Sequence, residues 1–211
     1  MTYSQRDIYR HHHSHHREAG FSVLKDDRGK LLRNLIGEGK TILDIGCRDG
    51  ALTKFFLKGN TVLGVDIDDI ALDLASKLGI ETMKLDLNGN WSELKGRKFD
   101  VVVAGEVLEH LYYPDQVLEK MKSLLNLGGM LMGSVPNAFS LKNRLRYLLG
   151  TKRHTPLSDP THINQFSEIE LQAILRRYFK EVEIRGLGRY QTLAKLSPNL
   201  FAFDLFFMGK L

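Results

Sequence analysis

The sequence predicts an α/β protein built on a doubly wound, mostly parallel sheet with helices on both faces. Three observations carry this expectation. The stretch Thr41 to Leu52 reads T-I-L-D-I-G-C-R-D-G-A-L: an apolar run closed by an acid, then a glycine turn, then a helical pattern. Phe99-Asp-Val-Val-Val-Ala104 is a nearly continuous apolar run, as expected of a parallel strand covered on both faces. Gly46, Asp66, Asp86 and Glu106 each follow directly on a candidate strand. In such sheets, ligands lie at the carboxyl ends of the strands, where these four residues would meet.

Taken in order, the chain opens with Met1 to Arg17, which holds five of the eight histidines: His11, His12, His13, His15 and His16. Adjacent histidines in a polar tail rarely supply the fixed geometry a metal needs, so residues 1–20 read as a flexible arm. Residues 21–211 read as one domain. Val23, Leu24, Leu31, Leu32, Leu35 and Ile36 are spaced for a helix ending near Gly37-Glu38-Gly39, placed to cover the sheet edge and help roof the site. Ala51–Leu57 reads as a short helix, Thr61–Val65 as a second strand closed by Asp66, and Ile70–Leu78 as an amphipathic helix. Gly79–Lys84 is the third strand, Phe99–Ala104 the fourth, and Pro114–Leu125 a helix with proline in its first turn. Leu127–Val135 supplies a turn and the fifth strand; Glu181–Leu187 and Leu200–Met208 supply the last two.

With 43% hydrophobic residues in 211, the chain can bury a sizeable core. Its single cysteine, Cys47, excludes an internal disulfide framework. The polar, histidine-rich start has no apolar signal segment. The most apolar late stretch, Leu200–Met208, is short for a membrane span and carries Asp204. A cytoplasmic location is the expectation. The formal charge of +5 favours an anionic partner, weakly.

The glycine loop separates two cofactor classes. The dinucleotide fingerprint would need glycines at 46, 48 and 51, and the chain has Gly46, Arg48 and Ala51. The alternative, acid-x-Gly-x-Gly-x-Gly, is met at Asp44, Gly46 and Gly50 and missed only at Arg48. That pattern resembles motif I of the class I S-adenosylmethionine-dependent methyltransferases, and the Arg48 departure requires its side chain to point away from the cofactor. Asp66, 22 positions after Asp44, falls near the spacing expected of a ribose-binding acid. The resemblance implies S-adenosylmethionine as cofactor and S-adenosylhomocysteine as product. It implies a Rossmann-like, seven-stranded sheet whose last strand is antiparallel. It also implies a cofactor site made by Asp44, Gly46, Cys47 and Gly50 in the loop, with Asp66 and Ile67 after the second strand. Asp86 would take the adenine amine, Leu87 would cover the ring, and Glu106 would face the methionine end.

Gly105-Glu-Val-Leu-Glu-His-Leu111 follows the fourth strand. A helix starting near Glu106 would put Glu106, Glu109 and His110 at i, i+3 and i+4, one face able to hold a divalent cation such as Mg or Mn. This E-x-x-E-H resembles the metal-binding element of ubiquinone-type O-methyltransferases and of small-RNA 2′-O-methyltransferases. The latter add a later histidine, matched here by His162 in D-P-T-H-I-N-Q-F. Without a metal, His162 is the best general base, with His110 the second catalytic candidate. Transfer from a sulfonium is an in-line displacement needing no enzyme nucleophile, so Cys47 reads as a packed loop residue.

Residues 136–160 form the expected acceptor lid. Leu141, Leu145, Leu148 and Leu149 recur at helical spacing beside Lys142, Arg144, Arg146, Lys152, Arg153 and His154. A packed helix with a solvated basic face, a clamp for an anionic acceptor, and a surface helix sampling membrane for a lipid-soluble acceptor all fit this pattern. V-P-N-A-F-S and H-I-N-Q-F-S-E-I-E-L resemble the branch holding ubiquinone-type and methionine-biosynthesis-associated domains. That branch implies O-methylation of a small hydroxylated metabolite, glycan or lipid precursor. RNA 2′-O-methylation is the alternative reaction, against which the lack of an evident RNA-binding appendage weighs. A non-catalytic cofactor-binding partner subunit is the alternative of a different class. A dinucleotide oxidoreductase is disfavoured by the missing glycines.

Overall fold

The computed structural model describes residues 20–211; the histidine-rich arm lies outside the described residues. A seven-stranded sheet is built from β1 (Thr41–Ile45), β2 (Thr61–Asp66), β3 (Glu81–Lys84), β4 (Phe99–Gly105), β5 (Leu125–Pro136), β6 (Glu181–Leu187) and β7 (Asp204–Lys210). Their spatial order is β3-β2-β1-β4-β5-β7-β6. The first five strands pair in parallel, and β7 inserts antiparallel to both β5 and β6. The expected mostly parallel sheet with an antiparallel last strand is observed.

Strand pleating sorts neighbouring residues to opposite faces. Ile42, Val62, Val101, Val103, Met132 and Phe206 form one core with Leu32 and Ile36 of α1 (Lys25–Ile36), Phe56 of α2 (Lys54–Leu57) and Ala75 of α3 (Asp69–Ser76). Leu43, Val65, Val102, Ala104, Leu131 and Leu205 form the other, against Leu118 and Met121 of α4 (Pro114–Ser123). Beyond α5 (Leu141–Leu148), α6 (Glu168–Arg176) adds Leu171 and Leu175 to that second core. Helix α6 starts in a capping box, Ser167 and Glu170 each bonding the other's backbone amide.

Among the boundaries that differ from expectation, three bear on the site. Residues 51–53 form turns, and α2 begins only at Lys54. The last strand starts at Asp204, because Pro198 opens a helical turn, α8 (Pro198–Phe201), a position its missing N–H suits. The connection from β6 therefore runs through α7 (Gln191–Leu196) and α8 rather than through a tight hairpin. Most consequential, residues after β4 do not continue as an α-helix. Glu106 takes a positive φ of 59°, and only a 3₁₀ turn, Leu108–His110, follows.

The sheet's centre tolerates no added bulk at Gly133. A side-chain carbon there would lie 2.1 Å from the Ala104 carbonyl oxygen and 2.5 Å from the Phe207 ring. Gly133→Val is expected to destabilise the fold by about 1–3 kcal/mol or more, read as a lowered midpoint in urea unfolding.

Candidate active site

A cleft opens at the carboxyl ends of β1, β2 and β4. Its walls include Asp44, Gly46, Cys47, Arg48, Asp66, Ile67, Asp86, Leu87 and Glu106, with Phe21, Ser22, Val23 and Arg28 closing it from the N-terminal side. The glycine turn is shaped by backbone handedness. Gly46 and Gly50 hold φ of 71° and 75°, and a side-chain carbon on Gly46 would lie 2.8 Å from Val107. Arg48 holds a φ of 51°, so this non-glycine residue adopts the left-handed conformation a glycine would take with less strain. Its guanidinium donates to the Phe21 carbonyl at 3.0 Å, fastening the loop to the segment ahead of α1, and the side chain forms part of the cleft wall.

Asp66 ends β2 with its carboxylate at the loop. It accepts the Arg48 amide at 2.9 Å and the Asp68 amide at 3.0 Å, and burial raises its pKa. Asp44 is buried behind the loop and accepts a hydrogen bond from Thr53. Burial pushes its pKa up to about 7, with Thr53 opposing and the Asp66 charge adding to the rise. Asp86 is exposed at the cleft wall, its carboxylate capping the Asn88 amide. The Cys47 thiol, its pKa raised chiefly by burial, is turned toward the sheet. A side-chain carbon built on Gly64 would lie 2.7 Å from its sulfur. Cys47 therefore meets the cleft through its backbone, as a packed residue.

Of the four residues expected to meet at a metal, three converge. Glu109, His110 and His162 bring potential ligand atoms within 4.8 Å of one another. Glu106 stands outside that group because its left-handed backbone turns it away: its carboxylate pairs with Arg28 at 3.2 Å and accepts from Ser134 at 2.9 Å. The residues that do converge are held by the lid's return segment. His110 Nδ1 donates to the Thr161 carbonyl at 2.9 Å and His162 Nδ1 donates to the Pro156 carbonyl at 3.2 Å, since a carbonyl can only accept. That fixes both tautomers with the lone pair on Nε2. The Asn164 amide donates to the Glu109 carbonyl at 2.9 Å, docking His162 against the 3₁₀ turn. His110 also lines the cleft, whereas His162 does not.

Helix α5 packs through Asn143, which is buried and donates to the Asn137 carbonyl. Its leucines face outward: Leu145, Leu148 and Leu149 are 54%, 83% and 80% exposed. Of the three readings of this stretch, the helix packed on the domain through its leucines is the one these exposures disfavour. Arg144 and Arg146 are committed to the lid's own framework, donating to the Phe139 and His154 carbonyls.

Sequence comparison decides the family. Residues 13–178 match the methyltransferase-domain family. This chain is a class I S-adenosylmethionine-dependent methyltransferase by family. A ubiquinone biosynthesis O-methyltransferase from Haemophilus ducreyi is 33% identical over 124 residues, 54% of this chain and 52% of that protein. The chain spans about half the length of the curated relatives it matches. In fold it is similar to a methyltransferase from Archaeoglobus fulgidus (TM-score 0.67, 19% identity, covering 97% of this chain and 99% of that one). It is also similar to the plantazolicin methyltransferase solved with S-adenosylhomocysteine (TM-score 0.64, 17% identity, covering 98% and 90%). Among the described residues, no helix of this methyltransferase is long and apolar enough to cross a membrane.

Arg28, Ser134 and Asp204 were not singled out from the sequence. A signal existed for Arg28 alone: it precedes Leu32 and Ile36 at four-residue steps, a cation on the core-facing stripe of α1.

The buried Asp44 makes stability depend on pH. Its folded pKa of about 7 lies above the ordinary 3.8, so its favourable contribution is complete below that ordinary value and is lost as pH rises through 7. Asp44→Asn keeps an acceptor for Thr53 and removes the charge. The variant is expected to match the unsubstituted protein near pH 4 and to exceed it at pH 8, by on the order of 3–4 kcal/mol at most, in urea unfolding.

Proposed function

We propose that this methyltransferase transfers the methyl group of S-adenosylmethionine to the oxygen of a small hydroxylated metabolite, glycan or lipid precursor. The observation that carries this reading is the convergence of Glu109, His110 and His162, of which His110 lines the glycine-loop cleft. A hydroxyl acceptor must lose its proton as the methyl group arrives, and this group supplies a proton-handling site for that loss.

In this reading the cleft binds the cofactor from three sides. The backbone of Gly46–Gly50 approaches the donor closely, Asp66 accepts from the ribose hydroxyls, and Asp86 takes the adenine amine while Leu87 covers the ring. At the other end Arg28 and Glu106 face the charged amino-acid group, a buried cation and anion opposite a carboxylate and an ammonium. Ile67, following Asp66, packs beside the ribose.

The acceptor hydroxyl then lies between the methyl group and the histidine–glutamate group. Glu109 and the two Nε2 atoms, aligned by their Nδ1 bonds to backbone carbonyls, form a donor set that suits a divalent cation such as Mg or Mn. Such a cation, when bound, lowers the pKa of the acceptor hydroxyl. Without one, His110 is the base, because it lines the cleft. Glu109, 3.9 Å from His110 Nε2, stabilises the imidazolium that forms. The outward leucines of α5 favour an acceptor with an apolar portion, whereas the internal commitments of Arg144 and Arg146 weigh against an anionic clamp.

Labelled methyl transfer into a cell extract, fractionated into lipid, small-molecule and RNA pools with and without chelator, tests the acceptor class. Label in lipid or small molecules supports this reading. Label in RNA would replace it with the RNA reaction, and binding of S-adenosylhomocysteine without turnover on any pool would point to a partner subunit. Asp66→Ala is expected to weaken S-adenosylhomocysteine binding about tenfold or more by calorimetry, since hydrogen bonds to a charged group contribute about 1.5–3 kcal/mol each. Glu109→Ala is expected to leave that affinity intact and to reduce turnover by about a hundredfold or more.

A further inference from the structure

Two buried acids share one buried cation beneath the cleft. Arg28, from α1, reaches the Glu106 carboxylate at 3.2 Å and the Asp204 carboxylate at 3.9 Å, and donates to Ser134 at 2.6 Å. Asp204 is wholly buried, and no side-chain N–H or O–H among the described residues is hydrogen-bonded to its oxygens; of the backbone amides only that of Leu205 acts on the carboxylate. A fully buried carboxylate so sparsely satisfied is among the costliest arrangements a fold can keep. Topology explains how it came there. Because β7 runs antiparallel beside β5, its first residue falls opposite Pro136, at the ligand end of the sheet.

The charged and titratable groups around Asp204 are few. Arg28 comes from α1, Glu106 from the turn after β4 and Ser134 from β5; Asp44 of β1 lies further off, sensing the Arg28 charge. With both acids ionised this group would carry one uncompensated negative charge. A proton on Asp204 removes that charge and supplies the missing hydrogen bond, donated to the Glu106 carboxylate. Burial and the Glu106 charge both hold the Asp204 carboxyl well above the usual range, against the opposing effect of Arg28.

We propose that Asp204 is a positioning residue that, as a neutral acid, donates to Glu106 and holds that carboxylate and Arg28 in place for the amino-acid end of the cofactor. Glu106 and Arg28 line the cleft; Asp204 stands behind them and does not line it. The role rests on the reading of this cleft as the cofactor site.

The test uses S-adenosylhomocysteine binding by calorimetry, with Asp204→Asn and Asp204→Leu in the full chain. Asparagine keeps a neutral donor toward Glu106 and leucine does not. Asp204→Asn is expected to hold the dissociation constant within about threefold, and Asp204→Leu to raise it tenfold or more. Should the leucine variant fail to fold, the pH profile decides. The unsubstituted protein should lose affinity as rising pH takes the Asp204 proton, a step absent from Asp204→Asn, while the Asp44 step persists in both. Unfolding midpoints carry the same sign: a raised folded pKa means stability lost with rising pH, so the asparagine variant should gain on the unsubstituted protein as pH rises above the ordinary carboxylate value of 3.8. Affinity lost equally in both variants, unchanged in both, or identical pH profiles would overturn the proposal. An unsubstituted protein that binds no S-adenosylhomocysteine would overturn the cofactor reading and the positioning role with it, whereas intact binding with any of those outcomes overturns the positioning role alone.

Discussion

The buried guanidinium of Arg28 is the interaction on which the ligand end of this sheet depends. It joins α1, the turn after β4, and strands β5 and β7, drawing Glu106, Ser134 and Asp204 to one point. Removing a single partner from such a group leaves a buried charge uncompensated, at a cost of about 3–5 kcal/mol. A side-chain carbon on nearby Gly105 would meet the guanidinium at an ordinary 3.8 Å and crowd Leu52 at 3.0 Å. The arrangement contributes little net stability beyond what an apolar core would give, and its retention at a cleft fits a role in recognition.

The second constraint is backbone handedness. Three left-handed residues, Gly46, Arg48 and Glu106, border the same cleft, while Gly50, also left-handed, faces Ile80 and Leu78 outside it. The left-handed turns let the chain double back after β1 and β4. Arg48 costs roughly 1–2 kcal/mol more there than a residue without a Cβ would, offset in part by its bond to the Phe21 carbonyl and by the entropy glycine would lose. The departure from the glycine pattern is therefore one of composition and not of loop shape.

The strand positions, the glycine loop and the acid at the end of β2 were legible because each is encoded within about ten residues. Apolar runs bounded by acids and glycines specify strands; their parallel stacking follows from the intervening helices. The errors fell where long-range contacts override local spacing. The E-x-x-E-H segment was read at helical period, but the Arg28 and Ser134 contacts hold Glu106 in a left-handed turn, and no helix forms. The leucines of α5 repeat at a core-like spacing, yet Asn143 anchors the helix through its bond to the Asn137 carbonyl. Asp204 gave no signal, since its burial depends on β7 lying between β5 and β6.

That insertion also bears on the acceptor side of the cleft. The antiparallel β7 needs a return path from the ligand end of β6 to the ligand end of β5, and α7 and α8 provide it without crossing the sheet. Asn137, just past β5, donates to the Pro198, Asn199 and Ala202 carbonyls, and Arg144 of α5 donates to Asn199. The lid helix is thus pinned to the connection that delivers Asp204, while the segment after it pins His162 to Glu109 and His110. The lid consequently bears on two places at once, the connection that delivers Asp204 and the group of Glu109, His110 and His162. A lid fastened at both ends can move its outward leucines only by straining one of those two anchors.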